Sequence, residues 1–131
     1  MIQRIQTLYM FIGGISAMLG ALILPLYAID LEYIWARNSM LPFALFSVAM
    51  VLFSGGIMLY KNRKLQLLVV RIAMLVSLGI IGSLLLEMRG VENIKPAIGG
   101  ALPLIQVIAA FMASKGIQKD EKLVRSTDRL R

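Results

Sequence analysis

The sequence predicts an all-α integral membrane protein. The expected architecture is a four-helix up-down-up-down bundle with short loops and a charged, helical, cytoplasmic C-terminal tail. Three observations predict it. First, 59% of the 131 residues are hydrophobic and the mean hydropathy is +0.80, against roughly 45–50% apolar content in soluble domains. So short a chain leaves much of its surface exposed, and the apolar excess therefore calls for lipid as solvent. Second, four long stretches are free or almost free of charge. Third, the basic residues gather on alternate connections between those stretches.

The first stretch covers residues 5–29, between Arg4 and Asp30. As a helix it would be about 37 Å long against roughly 30 Å of hydrocarbon, enough to cross with some tilt. It does not read as a cleaved leader. MIQR suits the start of one, but the apolar run is too long and LPLYAIDLEY holds no small-residue cleavage site. The second span, residues 38–60, opens with NSMLP. Asn38 or Ser39 suits an N-cap and Pro42 the first helical turn. The third, residues 65–86, contains one charge, Arg71. The fourth, residues 97–114, follows Pro96 and is near the lower limit for a span. The connections at 30–37, 61–64 and 87–96 are short, which makes consecutive helices antiparallel neighbours. One transmembrane domain thus covers residues 1–131, with residues 115–131 as its tail.

Counting Lys and Arg orients the chain. One face receives Arg4, Lys61, Arg63, Lys64 and Arg71, then Lys115, Lys119, Lys122, Arg125, Arg129 and Arg131. The other receives only Arg37, Arg89 and Lys95. Eleven against three places both termini in the cytoplasm by the positive-inside rule. Arg4, Lys61, Arg63, Lys64 and Arg71 are then expected at anionic lipid headgroups. Arg71 lies about 10 Å into the third helix, within reach of snorkelling; the competing reading is a buried functional pair.

Composition also excludes chemistry. There is no cysteine and no histidine, so no disulfide or thiolate metal site can form and the commonest general base and metal ligand are missing. No paired carboxylates sit in a span, and no glycine loop suits a phosphate. Ser114 and Lys115 are adjacent and point about 100° apart on a helix, which spoils them as a dyad. The expectation is a non-enzyme without cofactor or metal. Ionisable groups are absent from the first, second and fourth spans, which argues against a proton-coupled transporter. Gln106 is the strongly polar side chain nearest mid-membrane, and Pro103 should loosen the helix beside it. Packing is preferred over ligand binding for both. Glu87 reads as interfacial, near Arg89. The nine methionines read as adaptable filler.

Small residues recur at helical spacing. Gly13, Ala17 and Ala21 share one face of the first span, and Ser16 with Gly20 another. Residues 54–56 read SGG, Gly79 pairs with Ser83, and Ala109 with Ala113. Such faces let helix backbones approach closely, within the chain or against a partner. Tyr9, Phe11, Tyr27, Tyr33, Trp35 and Tyr60 fall near the span ends, as in an interfacial belt.

The tail reads KGIQKDEKLVRSTDRLR. As a helix it sets Leu123 and Leu130 seven residues apart with Val124 alongside, and pairs Glu121 with Arg125. The orientation rule does not need its acids. Asp120, Glu121 and Asp128, with Leu123, Val124 and Leu130, are therefore the candidate contacts to a partner. A solvated extension near anionic lipid is the simpler reading. Nucleic acid is not expected, because acids dilute the bases and no aromatic is present to stack.

The opening MIQRIQTLYM, the ALPL stretch and this tail resemble an uncharacterised family of short four-helix integral membrane proteins of the Bacteroidota. The resemblance covers essentially the whole chain. It implies a bacterial inner-membrane location and brings no activity, so no catalytic residue is carried over. The expected function is a non-enzymatic accessory or scaffold subunit of a larger inner-membrane complex, associating with membrane lipids and with a membrane-protein partner or itself. The alternatives are a small homo-oligomeric transporter or channel, and a membrane anchor whose tail recruits a soluble partner.

Overall fold

A computed structural model describes the backbone of residues 2–129 and the side chains of residues 5–129. The Arg4 side chain, Leu130 and Arg131 lie outside the described residues. Four helices form: α1 (Ile2–Leu22), α2 (Met40–Met58), α3 (Arg63–Met88) and α4 (Ile98–Arg129). Each contains a window long and apolar enough to cross a membrane.

The all-α expectation needs a correction. Three strands, β1 (Pro25–Ile29), β2 (Glu32–Trp35) and β3 (Ile94–Pro96), form an antiparallel sheet in the order β2-β1-β3. The predicted first span is accordingly too long, because α1 stops at Leu22. Pro25 is the cause: it has no N–H to offer a continuing helix and pushes Leu24 away from helical backbone. The uncharged run beyond it, PLYAI, is used as a buried strand, with Leu26 and Tyr27 almost fully enclosed. Asp30 turns the β1–β2 hairpin at φ 56°, and Asn93 precedes β3 at φ 59°. Asp and Asn are among the non-glycine residues that tolerate this region best. The Asp30 N–H donates to the Asn93 carbonyl at 3.3 Å, so the first and third connections become one small platform.

α2 begins after Ser39, with Pro42 buried in its first turn. α3 is capped by Asn62, whose side chain accepts the Leu65 N–H at 3.2 Å. α4 carries Pro103 inside it and runs 32 residues without a break, about 48 Å. The predicted fourth span and tail are therefore one helix.

α1 packs against α2 and α4, and α3 packs against the same two. The contacts run in opposing registers. Met10, Gly13 and Gly20 on α1 meet Gly56, Phe53 and Phe46 on α2, so numbers rise on one helix as they fall on the other. Ser77 meets Gln106 and Arg63 meets Asp120 across α3 and α4. Gln6 meets Gly116 across α1 and α4. Phe46 and Phe53 are fully buried because glycine leaves their rings room. The outward faces are apolar too, with Leu8, Phe11, Val51, Leu75, Leu85 and Ile108 all exposed. A water-soluble protein would not present that on every helix.

Candidate functional site

The buried polar groups come first, because they are where transport chemistry would lie. Gln106 is fully enclosed. Its side-chain oxygen lies 3.0 Å from the Ser77 hydroxyl, which also lies 2.8 Å from the Ala73 carbonyl. A hydroxyl has one proton for two acceptors. With that proton on Ala73, the serine oxygen is an acceptor, and the Gln106 NH2, otherwise unpartnered, satisfies it by turning over. The pair then closes α3 onto α4 near the middle of α3. Pro103 is buried nearby in α4. The geometry supports packing here.

Two further amides, Gln6 and Gln66, are almost fully buried. Sequence reasoning missed both, because each sits close to the charged end of its helix and reads as interfacial. Gln66 Nε2 donates to the Gly56 carbonyl at 3.0 Å and lies 3.9 Å from the Met10 sulfur. It ties α3 to α2 and α1. Gln6 lies against Gly116, and its NH2 has no partner among the described residues.

The small-residue stripes divide sharply. Gly13, Ser16, Ala17, Gly20 and Ala21 are all buried in the packing of α1, as are Ala109 and Ala113 in α4. The Ser16 and Ser83 hydroxyls donate to carbonyls of their own helices, Gly13 and Ile80, each at 2.8 Å. Gly79 is different. It is exposed while Ser83 is buried, and a Cβ added at Gly79 or Gly82 would meet nothing. These two glycines floor an open apolar groove of about 650 Å³ between α2 and α3. Leu41, Leu45 and Leu86 wall it, and Arg89 closes its end nearest the sheet.

At that end the Tyr27 hydroxyl donates to Glu87 Oε2 at 3.3 Å, joining β1 to α3. Burial, then the neighbouring Glu87 charge and this bond, raise the phenol above its usual 10.0. Glu87 thus holds the sheet to the helix as well as lying near Arg89. Arg37 stacks over Trp35 at 5.1 Å.

At the opposite end the predicted topology residues separate. Lys61, Lys64 and Arg71 are exposed, whereas Arg63 is half-buried and pairs with Asp120 at 3.5 Å. Glu121 pairs with Arg125 at 3.0 Å. Two acids proposed as partner contacts are therefore engaged within the chain. Leu123, Val124 and Asp128 are exposed, and Leu130 lies outside the described residues. Among the described residues no three Asp or Glu side chains gather as a metal site would require.

Four apolar helices, closed inner packing and apolar outer faces define the class: a multi-span α-helical membrane protein with a small sheet over one end. Within that class the chain belongs to a family of unknown function. The family model described as "Domain of unknown function (DUF4293)" matches residues 2–130. Neither a curated protein nor a solved structure matches the chain.

Proposed function

We propose that this protein is a non-enzymatic accessory subunit of the bacterial inner membrane, and that it docks on a membrane-protein partner through the α2–α3 groove. The helices thread up-down-up-down with both termini in the cytoplasm. The descending registers between neighbouring helices and the eleven-to-three distribution of basic residues support that threading. The observation that carries the docking reading is the pair of exposed glycines. The small-residue faces of α1 and α4 singled out in the sequence are used for internal packing, whereas Gly79 and Gly82 line an open lipid-facing groove. Glycine costs about 1 kcal/mol in a helix relative to alanine. Two at one exposed notch suit the close approach of another helix backbone.

The test is purification of the tagged protein in mild detergent beside Gly79→Leu/Gly82→Leu. The filled groove should lose a stoichiometric transmembrane partner while helicity and monodispersity stay as in the wild type. A wild-type monomer without partner, or a variant that keeps its partner, contradicts the reading.

A second reading rests on α4. Residues 121–129 carry the helix about 13 Å past Asp120. That rigid rod could also serve as a cytoplasmic platform. Deleting residues 121–131 should release a soluble partner if so, and leave the transmembrane partner bound.

A further inference from the structure

The cytoplasmic end holds a second feature, independent of the α2–α3 groove. The loop before α3 and one face of the α4 extension enclose an open groove of about 740 Å³. Lys61, Arg63, Lys64 and Arg125 line it together with Glu121. We propose that this groove binds a phosphate-bearing anion, either the headgroup of an anionic lipid or a free phosphate.

The charge count favours an anion. Four cations face two carboxylates, Glu121 within the groove and Asp120 behind Arg63. Two positive charges are left over. Lys61 and Lys64 are exposed and make no ion pair among the described residues. Arg63 meets Asp120 through Nε, leaving its two terminal nitrogens for another acceptor. Arg125 uses one terminal nitrogen on Glu121. Phosphate oxygens accept from several such donors at once, and guanidinium forks match them in pairs.

The shape is built by the fold. Asp120, Glu121 and Val124 fall on the face of α4 turned to the loop, continuing the buried positions Ala113 and Ile117. Lys115, Lys119, Lys122 and Arg129 fall on the opposite face, as their helical spacing requires. Asp120 thus holds the tail beside the start of α3 through Arg63, and the basic groove forms where the two meet. The level also fits. The groove lies at the start of α3, just past its apolar stretch, where headgroup phosphates lie when the helix spans the bilayer. Basic pockets between helices on the cytoplasmic side bind such headgroups.

The experiment measures two ligands on the full chain in a zwitterionic detergent. Native mass spectrometry reads retention of phosphatidylglycerol against phosphatidylcholine, and calorimetry reads binding of inorganic phosphate. Lys61→Gln/Lys64→Gln should weaken the preferred ligand about thirty-fold, taking each lysine at its usual surface worth. Glu121→Gln should tighten it about five-fold by the same measure. Arg71→Gln, an exposed base on α3 outside the groove, should leave it unchanged. Phosphatidylglycerol showing this pattern identifies a lipid site, and inorganic phosphate showing it identifies a soluble ligand. The proposal is overturned if neither ligand binds preferentially, if Arg71→Gln weakens binding as much as the lysine pair, or if Glu121→Gln weakens it.

Discussion

The α1–α2 interface makes a prediction in which two glycine substitutions one helix apart change stability in opposite directions. Gly13 faces the ring of Phe53, and a Cβ built there would overlap it, with ring atoms Cδ1 and Cζ both 2.7 Å away. Ordinary carbon contacts sit at about 3.5–4.0 Å, so the ring or the helix must retreat by about 1 Å. Phe53 is fully buried, and protein interiors are close-packed, so its ring cannot retreat without cost. Overpacking of this kind costs about 1–3 kcal/mol. The helix gains about 1 kcal/mol from replacing glycine by alanine, so Gly13→Ala should be destabilising by up to about 2 kcal/mol. Gly55 on α2 meets nothing within 4 Å. Gly55→Ala should collect the propensity gain alone and stabilise by about 0.5–1 kcal/mol. The assay is reversible unfolding in mixed micelles followed by circular dichroism. Adding Phe53→Leu to Gly13→Ala should recover part of the loss, with a coupling above the roughly 0.5 kcal/mol expected of independent sites. Two stabilising alanines, or strict additivity of Gly13→Ala and Phe53→Leu, would refute the knob-and-notch packing.

Two further predictions use the ends of the molecule. Because the chain has no cysteine, single cysteines can report sidedness: at Asp30 or Glu92 they should react with a membrane-impermeant maleimide from outside, and at Lys64 or Ser126 only after permeabilisation. Tyr27 should titrate above 10.0 in an ultraviolet pH titration. Its raised value makes the neutral phenol the favoured form, so the Tyr27–Glu87 contribution is full below pH 10 and is lost as pH rises through the raised value. Tyr27→Phe should remove that alkaline loss of stability, and an unchanged alkaline profile would count against the bond.

Much of this fold was legible in the chain, and the misses have physical causes. Charge-free length reveals four spans because lipid and core both reject charge, so the reading never needs to know which face meets which solvent. The same indifference extended the first span across PLYAI, where a strand is just as uncharged as a helix. Pro25 was the available signal, since a proline so near the end of an apolar run ends the helix before it. The β1–β3 pairing was out of reach, because it joins residues 27–29 to residues 94–96 and no local pattern encodes such a contact. Small-residue spacing showed that Gly13 and Gly79 could each admit a neighbour. It could not show that one faces Phe53 and the other open space. The tail acids were visible, and so was their helical face. The partner of Asp120, Arg63, lies 57 residues earlier and comes within reach only when α3 and α4 pack together.

The groove floored by Gly79 and Gly82 is proposed to receive another transmembrane segment. The decisive experiment is photocrosslinking in native membranes, with p-benzoylphenylalanine at Leu41 in the groove and at exposed Ile108 on α4, a helix packed on α1 and α3. One discrete protein adduct is expected from Leu41, absent from Ile108 and lost when Gly79 and Gly82 are both changed to leucine. Lipid adducts alone from Leu41, or the same protein adduct from both positions, would contradict it.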